Sequence, residues 1–185
     1  FLSCNNLKEI VIPKNVNRIE AAAFSPGIIE NIGIDSDTTS LKVVNNCLIH
    51  TERNVLICGY GDCMIPDDGS VTEIGLEAFS YNTFITEIVI PEGVTSIGLC
   101  AFQGCSNLTN VMVPNSVRII YMGAFNLCTN IKSFIFDGSE AEWNNVSKYA
   151  DWEGNATFTV QFMVAADGHR HDKTKVEEKA PTCTE

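Results

Sequence analysis

Eight cysteines and three histidines are the side chains of this chain most able to do chemistry, and their spacing decides which chemistry is open to them. Cys47, His50, Cys58 and Cys63 form a C-x2-H-x7-C-x4-C run, close to the spacing with which thiolates and imidazole hold zinc. On a strand, however, residues three apart face opposite sides, so Cys47 and His50 diverge and zinc is disfavoured. A disulfide is the better alternative. Apolar runs at 47–49 and 55–58 flank the polar tetrapeptide 51–54 and read as a β-hairpin. With a two-residue turn at Glu52 and Arg53, Cys47 sits opposite Cys58 and can bridge to it. With Asn54 left-handed in a three-residue loop, the register moves by one and the pair is lost.

A second set, Cys4, Cys105 and Cys128, stands three residues after Phe1, Phe102 and Phe125. These thiols could bridge neighbouring units or ladder a metal. Against that, Gly27 and Asn82 hold the same position elsewhere, which favours a small buried side chain at a turn. His169 and His171 form an H-x-H in a polar tail; two ligands do not complete a tetrahedral site. The chain has no G-x-S-x-G, H-E-x-x-H or P-loop motif. A Cys-His nucleophile would require His50 beside Cys58 or Cys63. The expectation is a non-enzyme that needs no metal or cofactor.

The elements that position these residues follow from a repeat. Phe1, Phe24, Phe79, Phe102 and Phe125 are 23, 55, 23 and 23 residues apart, within the similar stretches "LKEIVIPKNVNRIEAAAF", "ITEIVIPEGVTSIGLCAF" and "LTNVMVPNSVRIIYMGAF". A period of this length with L-x-x-L-x-L patterning marks a leucine-rich-repeat solenoid. Leu7, Ile10 and Ile12, then Ile85, Ile88 and Ile90, then Leu108, Val111 and Val113, then Ile131, Phe134 and Phe136, recur at offsets 0, 3 and 5. The last two of each set share a strand face. Pro13, Pro91 and Pro114 follow; lacking an amide donor, proline suits the end of a ladder. Val16 with Ile19, Val71 with Ile74, Val94 with Ile97, and Val117 with Ile120 point inward from a second extended segment. Phe24, Phe79, Phe102 and Phe125 are expected in the core, ring above ring.

The 55-residue interval is two periods plus nine residues and regains its register in "MIPDDGSVTEIGLEAF". Residues 25–79 therefore read as a long repeat from which the hairpin projects. After Phe136, Ser139 and Glu142 stand at capping-box spacing, so a short helix follows, with Trp143, Val146 and Ala150 on its inner face. Residues 158–164 alternate like a strand. Together 137–166 form a C-terminal cap that keeps the last apolar edge from water. Residues 167–185 have almost nothing to bury and read as a polar linker or the start of a following module. The opening "FLSCNNL" reads as the tail of a repeat, so a piece of a longer chain is expected. The fold class is thus a β-rich (α+β) solenoid over 1–166, with short parallel strands, one per ~23-residue coil.

A net charge of −11 disfavours nucleic acid and anionic membranes as partners, and no apolar run is long enough to span a bilayer. The repeat unit I-x-I-P-x-x-V-x-x-I-x-x-x-A-F-x-x-C, the hairpin-bearing "NNCLI…NVLI" repeat and the closing "GSEAEW" resemble the BspA-like leucine-rich-repeat proteins over about residues 1–166. The resemblance implies a bacterial surface or secreted protein, often from a host-associated bacterium. It implies a role in adhesion or protein binding, a host extracellular protein among the possible ligands, and no catalytic residues. A structural spacer and a carbohydrate-binding module are the alternatives. Nothing in the sequence sets the oligomeric state. On geometry, the residues left to a ligand are those on the strands that the core does not claim: Lys8, Glu9, Val11, Thr86, Glu87, Val89, Thr109, Asn110, Met112, Lys132, Ser133 and Ile135. Val11, Val89, Met112 and Ile135 form an apolar stripe among them.

Overall fold

The computed structural model describes residues 4, 6–16, 18, 19, 23, 24, 29–35 and 40–164. Its strands, in order, are β1 (Glu9–Ile12), β2 (Asn31–Ile34), β3 (Leu41–Val44), β4 (Cys47–His50), β5 (Val55–Gly59), β6 (Glu73–Ile74) and β7 (Glu87–Val89). They continue as β8 (Ser96–Ile97), β9 (Asn110–Pro114), β10 (Ile119–Ile120) and β11 (Ser133–Asp137). The single helix among the described residues, α1 (Glu140–Asn144), precedes β12 (Ser147–Lys148) and β13 (Val160–Phe162).

Each repeat lays down one coil, and the coils stack in register. The I-x-I segment before each proline forms the sheet β13-β11-β9-β7, all parallel, with Val111 paired to Ile88 on one side and Phe134 on the other. The second extended segment forms another parallel ladder, β6-β8-β10-β12. At the third corner, Phe79 N–H donates to Ala101 O (2.7 Å) and Phe102 N–H to Ala124 O (2.8 Å). Apolar side chains at the inward positions of both ladders are buried, including Ile88, Ile90, Val111, Val113, Ile74, Ile97 and Ile120. The rings of Phe79, Phe102 and Phe125 stack at 4.8 and 5.1 Å, nearly parallel. The expected ring column is there. Phe24 is buried too, but in a separate cluster with Ile32, Leu48, Ile57 and Tyr60.

The long repeat accounts for that separation. Its hairpin β4–β5 does not stand off the coil; it is woven into the second sheet, which runs β12-β10-β8-β6-β5-β4-β3. Strand β4 sends Cys47 and Ile49 to the main core and Leu48 to the N-terminal one. The sequence reading missed β3, although its signal is present. Asn45 and Asn46 lie between two apolar runs and both take positive φ (50° and 60°), the pairing that a two-residue type I′ hairpin loop demands. The pair β1–β2 forms a small parallel sheet of its own.

The cap forms much as the spacing predicts. Ser139 Oγ accepts from Glu142 N–H (3.3 Å), and Glu142 Oε2 accepts from Ser139 N–H (2.8 Å). Trp143 and Val146 are buried. Ala150 is exposed instead of inward, because the helix ends at Asn144 and the chain turns into β12 before reaching it. Phe158 stacks on Phe134 at 4.5 Å, and Trp152 packs edgewise on both. The last coil's apolar edge is thereby covered, as a solenoid requires. No helix among the described residues is long and apolar enough to cross a membrane.

Candidate interaction surface

The thiols resolve first. Asn54 takes φ 53°, yet His50 pairs with Val55 and Ile49 with Leu56, the register that would set Cys47 opposite Cys58, and a bulge between Leu48 and Ile49 then shifts it by one. Cys47 consequently faces Gly59, Cys58 faces Leu48, and the two sulfurs serve different core clusters, both as free thiols. A Cys47–Cys58 bridge does not fit this register. Cys47 lies instead against Cys63; the hydrogen bond between the two thiols, with burial second, pushes Cys47 far above an ordinary thiol pKa. Burial does the same to Cys58. Such thiols stay protonated and are poor nucleophiles and poor ligands. Among the described residues, no three His, Cys, Asp or Glu side chains converge as a metal site. His50 is buried with Nδ1 unpartnered. His169 and His171 lie outside the described residues.

The cysteine column is a hydrogen-bonding device. Cys105 Sγ donates to Phe79 O (3.1 Å) and Cys128 Sγ to Phe102 O (2.9 Å). In the coil between them and the hairpin, Asn82 Nδ2 donates to Gly59 O (3.1 Å) and Gly61 O (3.0 Å). Gly59 occupies the phenylalanine position of the hairpin coil, since its N–H donates to Ala78 O as Phe79 donates to Ala101. Asn82, Cys105 and Cys128 thus each donate to the corner carbonyl of the preceding coil, which for Phe79 and Phe102 adds to a backbone N–H bond. Cysteine and asparagine interchange because both are small donors; Cys4 is exposed.

The strand face divides where the two parallel sheets divide. Glu87, Asn110 and Ser133 lie in one rank, and Val89, Met112 and Ile135 in the next. Thr86, Thr109 and Lys132 join at the strand entry, where Thr109 N–H and Oγ1 both reach Thr86 O (2.8 and 3.0 Å). Glu9 and Val11 sit on β1, in the separate small sheet, and Lys8, just before it, pairs through Nζ with Glu30 at 2.7 Å. Most of these side chains are exposed; Thr109, Met112 and Ser133 are half-buried. Ile135 departs from expectation at 7% exposure, against 57% for Val89 and 68% for Val11. Its strand lies between β9 and β13, so Met112 and Gln161 flank it on both sides. Val89 is on a sheet edge with one such neighbour. Ile135 therefore leaves the surface.

Met64 takes its place. It is 68% exposed, and "MIP" at 64–66 aligns with "VIP" at 89–91, so the repeat itself carried the signal. Between these two segments lies a groove of about 600 Å³, lined by Met64, Val89, Asp67, Glu87 and Glu92 among others. The tryptophans contribute nothing to the face, since Trp143 and Trp152 pack inside the cap.

Short in-register parallel strands, two in each regular coil where the spacing predicted one, a buried aromatic column and a sealed end define a leucine-rich-repeat solenoid. The chain belongs to the family described as the BspA type leucine rich repeat region, with six copies of the repeat over residues 1–49 and 61–150. The interval the repeats skip is the end of β4, the hairpin turn and β5. The crystal structure of the pneumococcal vaccine antigen PcpA is similar, at TM-score 0.63 and 21% identity, over 77% of this chain and 35% of that one. So is a leucine-rich repeat protein from Bacteroides capillosus ATCC 29799, at TM-score 0.55 and 23% identity, over 66% of this chain and 98% of that one. At these identities the likeness is one of fold. The chain spans about a third of the length of PcpA in that structure. A search of curated protein sequences returned no match.

Proposed function

We propose that this chain is a non-enzymatic domain of a secreted or cell-surface protein and that it binds a protein ligand through the outer face of its strands, a host extracellular protein being the kind of ligand expected. One observation carries the reading. Val11, Met64 and Val89 hold apolar side chains at the same repeat position in three coils, between 57% and 68% exposed, although the inward positions already fill the core. Apolar residues with a polar surround are the anatomy of a protein-binding patch; here Glu9, Glu87, Thr86 and Asn110 supply the surround. Stacked coils hold such residues on a rigid, extended surface.

The test is saturable binding of the domain to a panel of purified host matrix and serum proteins. Binding is expected to be lost when Lys8→Glu, Glu87→Lys and Lys132→Glu are combined, and separately when Val11, Met64 and Val89 become serine, with folding retained by circular dichroism. Binding to no panel member, across domains carrying several numbers of repeats, would instead support a structural spacer.

A further inference from the structure

The sheet that carries the candidate surface stops at β7, although the solenoid continues past it. The counterpart of β7 in the preceding coil is 62–66. On their other two sides these coils are bonded, through β6–β8 and through Phe79 N–H to Ala101 O. On this side, among the described residues, no hydrogen bond joins 62–66 to β7. The hairpin provides the reason. Met64 N–H donates to Asn45 O (3.2 Å), Tyr60 N–H to Asn46 O (3.0 Å), and the Cys47 thiol to Met64 O (3.4 Å). These bonds hold 62–66 against the β3–β4 turn and away from β7.

The backbone directions show what the opening offers. On β7 the even positions face β9, because Thr86 O accepts from Asn110 N–H and Ile90 N–H donates to Met112 O. Glu87 and Val89 therefore turn their amides and carbonyls toward 62–66, since successive strand residues bond to opposite sides. Met64 turns the other way, toward Asn45, so Cys63 and Ile65 turn toward β7. Two strand-like walls face each other across the 600 Å³ groove without bonding. An unpaired strand edge is a template for another strand. The residues lining the groove include three exposed carboxylates, Asp67, Glu87 and Glu92, and no lysine or arginine.

We propose that this groove receives an extended, lysine- or arginine-bearing segment of a partner protein, which adds to β7 as a strand. The inference rests on the reading of the domain as a protein-binding one and specifies the form and charge of the chain it takes. Main-chain bonds to Glu87 and Val89 supply affinity, Met64 and Val89 meet alternate side chains, and the carboxylates select for positive charge.

The probe is an acetylated, amidated seven-residue peptide alternating lysine with threonine and valine, titrated into the whole chain by calorimetry and amide NMR. Saturable binding is expected, with shifts concentrated at 63–65 and 87–89. N-methylation of alternate peptide amides weakens it about tenfold or more, as loss of main-chain bonds should, and glutamate in place of lysine abolishes it. Val89→Pro removes an amide facing the groove while sparing the β9 ladder, and is expected to weaken binding similarly. Because proline could disturb the fold, Glu87→Lys with Glu92→Lys is the second variant, expected to switch preference to the glutamate peptide. No binding, shifts elsewhere, or equal binding of the N-methylated peptide overturns the proposal. If the proposal fails while a host protein still binds in a manner sensitive to the outer-face substitutions, the groove reading falls and the broader one stands.

Discussion

From Phe79 to Phe136 the chain is regular; from Leu41 to Pro66 it is not, and the two regions obey the same physics with different results. In the regular stretch every coil bonds its neighbour at three corners, and each ring lies on a ring. In the hairpin region Gly59 stands where a phenylalanine would be, the Phe79 ring lies over it, and one of the three ladders is missing. The solenoid survives because two ladders and a shared core still join the coils, stability in such arrays being a sum of nearest-neighbour terms. The open corner is where an edge strand and exposed apolar residues coincide.

Substitutions can sharpen this contrast, and the largest effect is expected in the regular stack. Phe102→Ala removes the middle ring, buried between Phe79 and Phe125, and should lower unfolding free energy by about 3–5 kcal/mol in urea titration. A loss below ~1 kcal/mol would mean the column is not what couples the coils. Next comes the junction. A Cβ at Gly59 would lie 2.0 Å from Phe79 Cε1, so Gly59→Ala should cost about 1–3 kcal/mol by overpacking, with partial rescue by adding Phe79→Leu.

The corner donors separate the regions more finely. Asn82→Ala takes a donor from two carbonyls, those of Gly59 and Gly61, whereas Cys128→Ala takes one from Phe102 O, which keeps its bond from Cys105 N–H. Each unsatisfied buried group costs about 1–3 kcal/mol, so Asn82→Ala should lower the denaturation midpoint more than Cys128→Ala. The reverse order would show that the thiol is held by packing alone. Smallest is the cap, where Ser139→Ala should cost about 1 kcal/mol. The Ser139 backbone N–H, together with bonds from Asn115 and the Ser139 hydroxyl, holds the Glu142 carboxyl below the usual carboxylate range. The depressed value means its stabilisation is complete above the unfolded carboxylate pKa and disappears as pH falls through the folded one. A stability gap between wild type and Glu142→Gln should therefore be present at neutral pH and fade in acid. Peptide mapping without reductant is expected to return Cys47 and Cys58 unlinked.

The strand positions, the buried phenylalanines and the capping box were legible because each depends on spacing within one repeat. Three features were not. The hairpin register turned on a bulge between Leu48 and Ile49, which the spacing around the turn does not announce. Strand β3 hid behind Asn45-Asn46, a turn signal in a stretch read for its cysteines. Ile135 carried the right side chain at the right alternation, yet β13 decided that it would be covered. Met64 was readable from its "MIP" alignment and passed over because it falls in the irregular repeat.

By itself the sequence determined the coil: a 23-residue period places each side chain inward or outward, since strand alternation and turn chemistry are local. Tertiary structure decided what the outward residues meet. Whether Val89 is exposed and Ile135 buried depends on which strands arrive on either side, and whether β7 keeps a free edge depends on a hairpin turn about 40 residues upstream drawing the neighbouring segment toward itself. Those are long-range backbone contacts, and no local pattern encodes them.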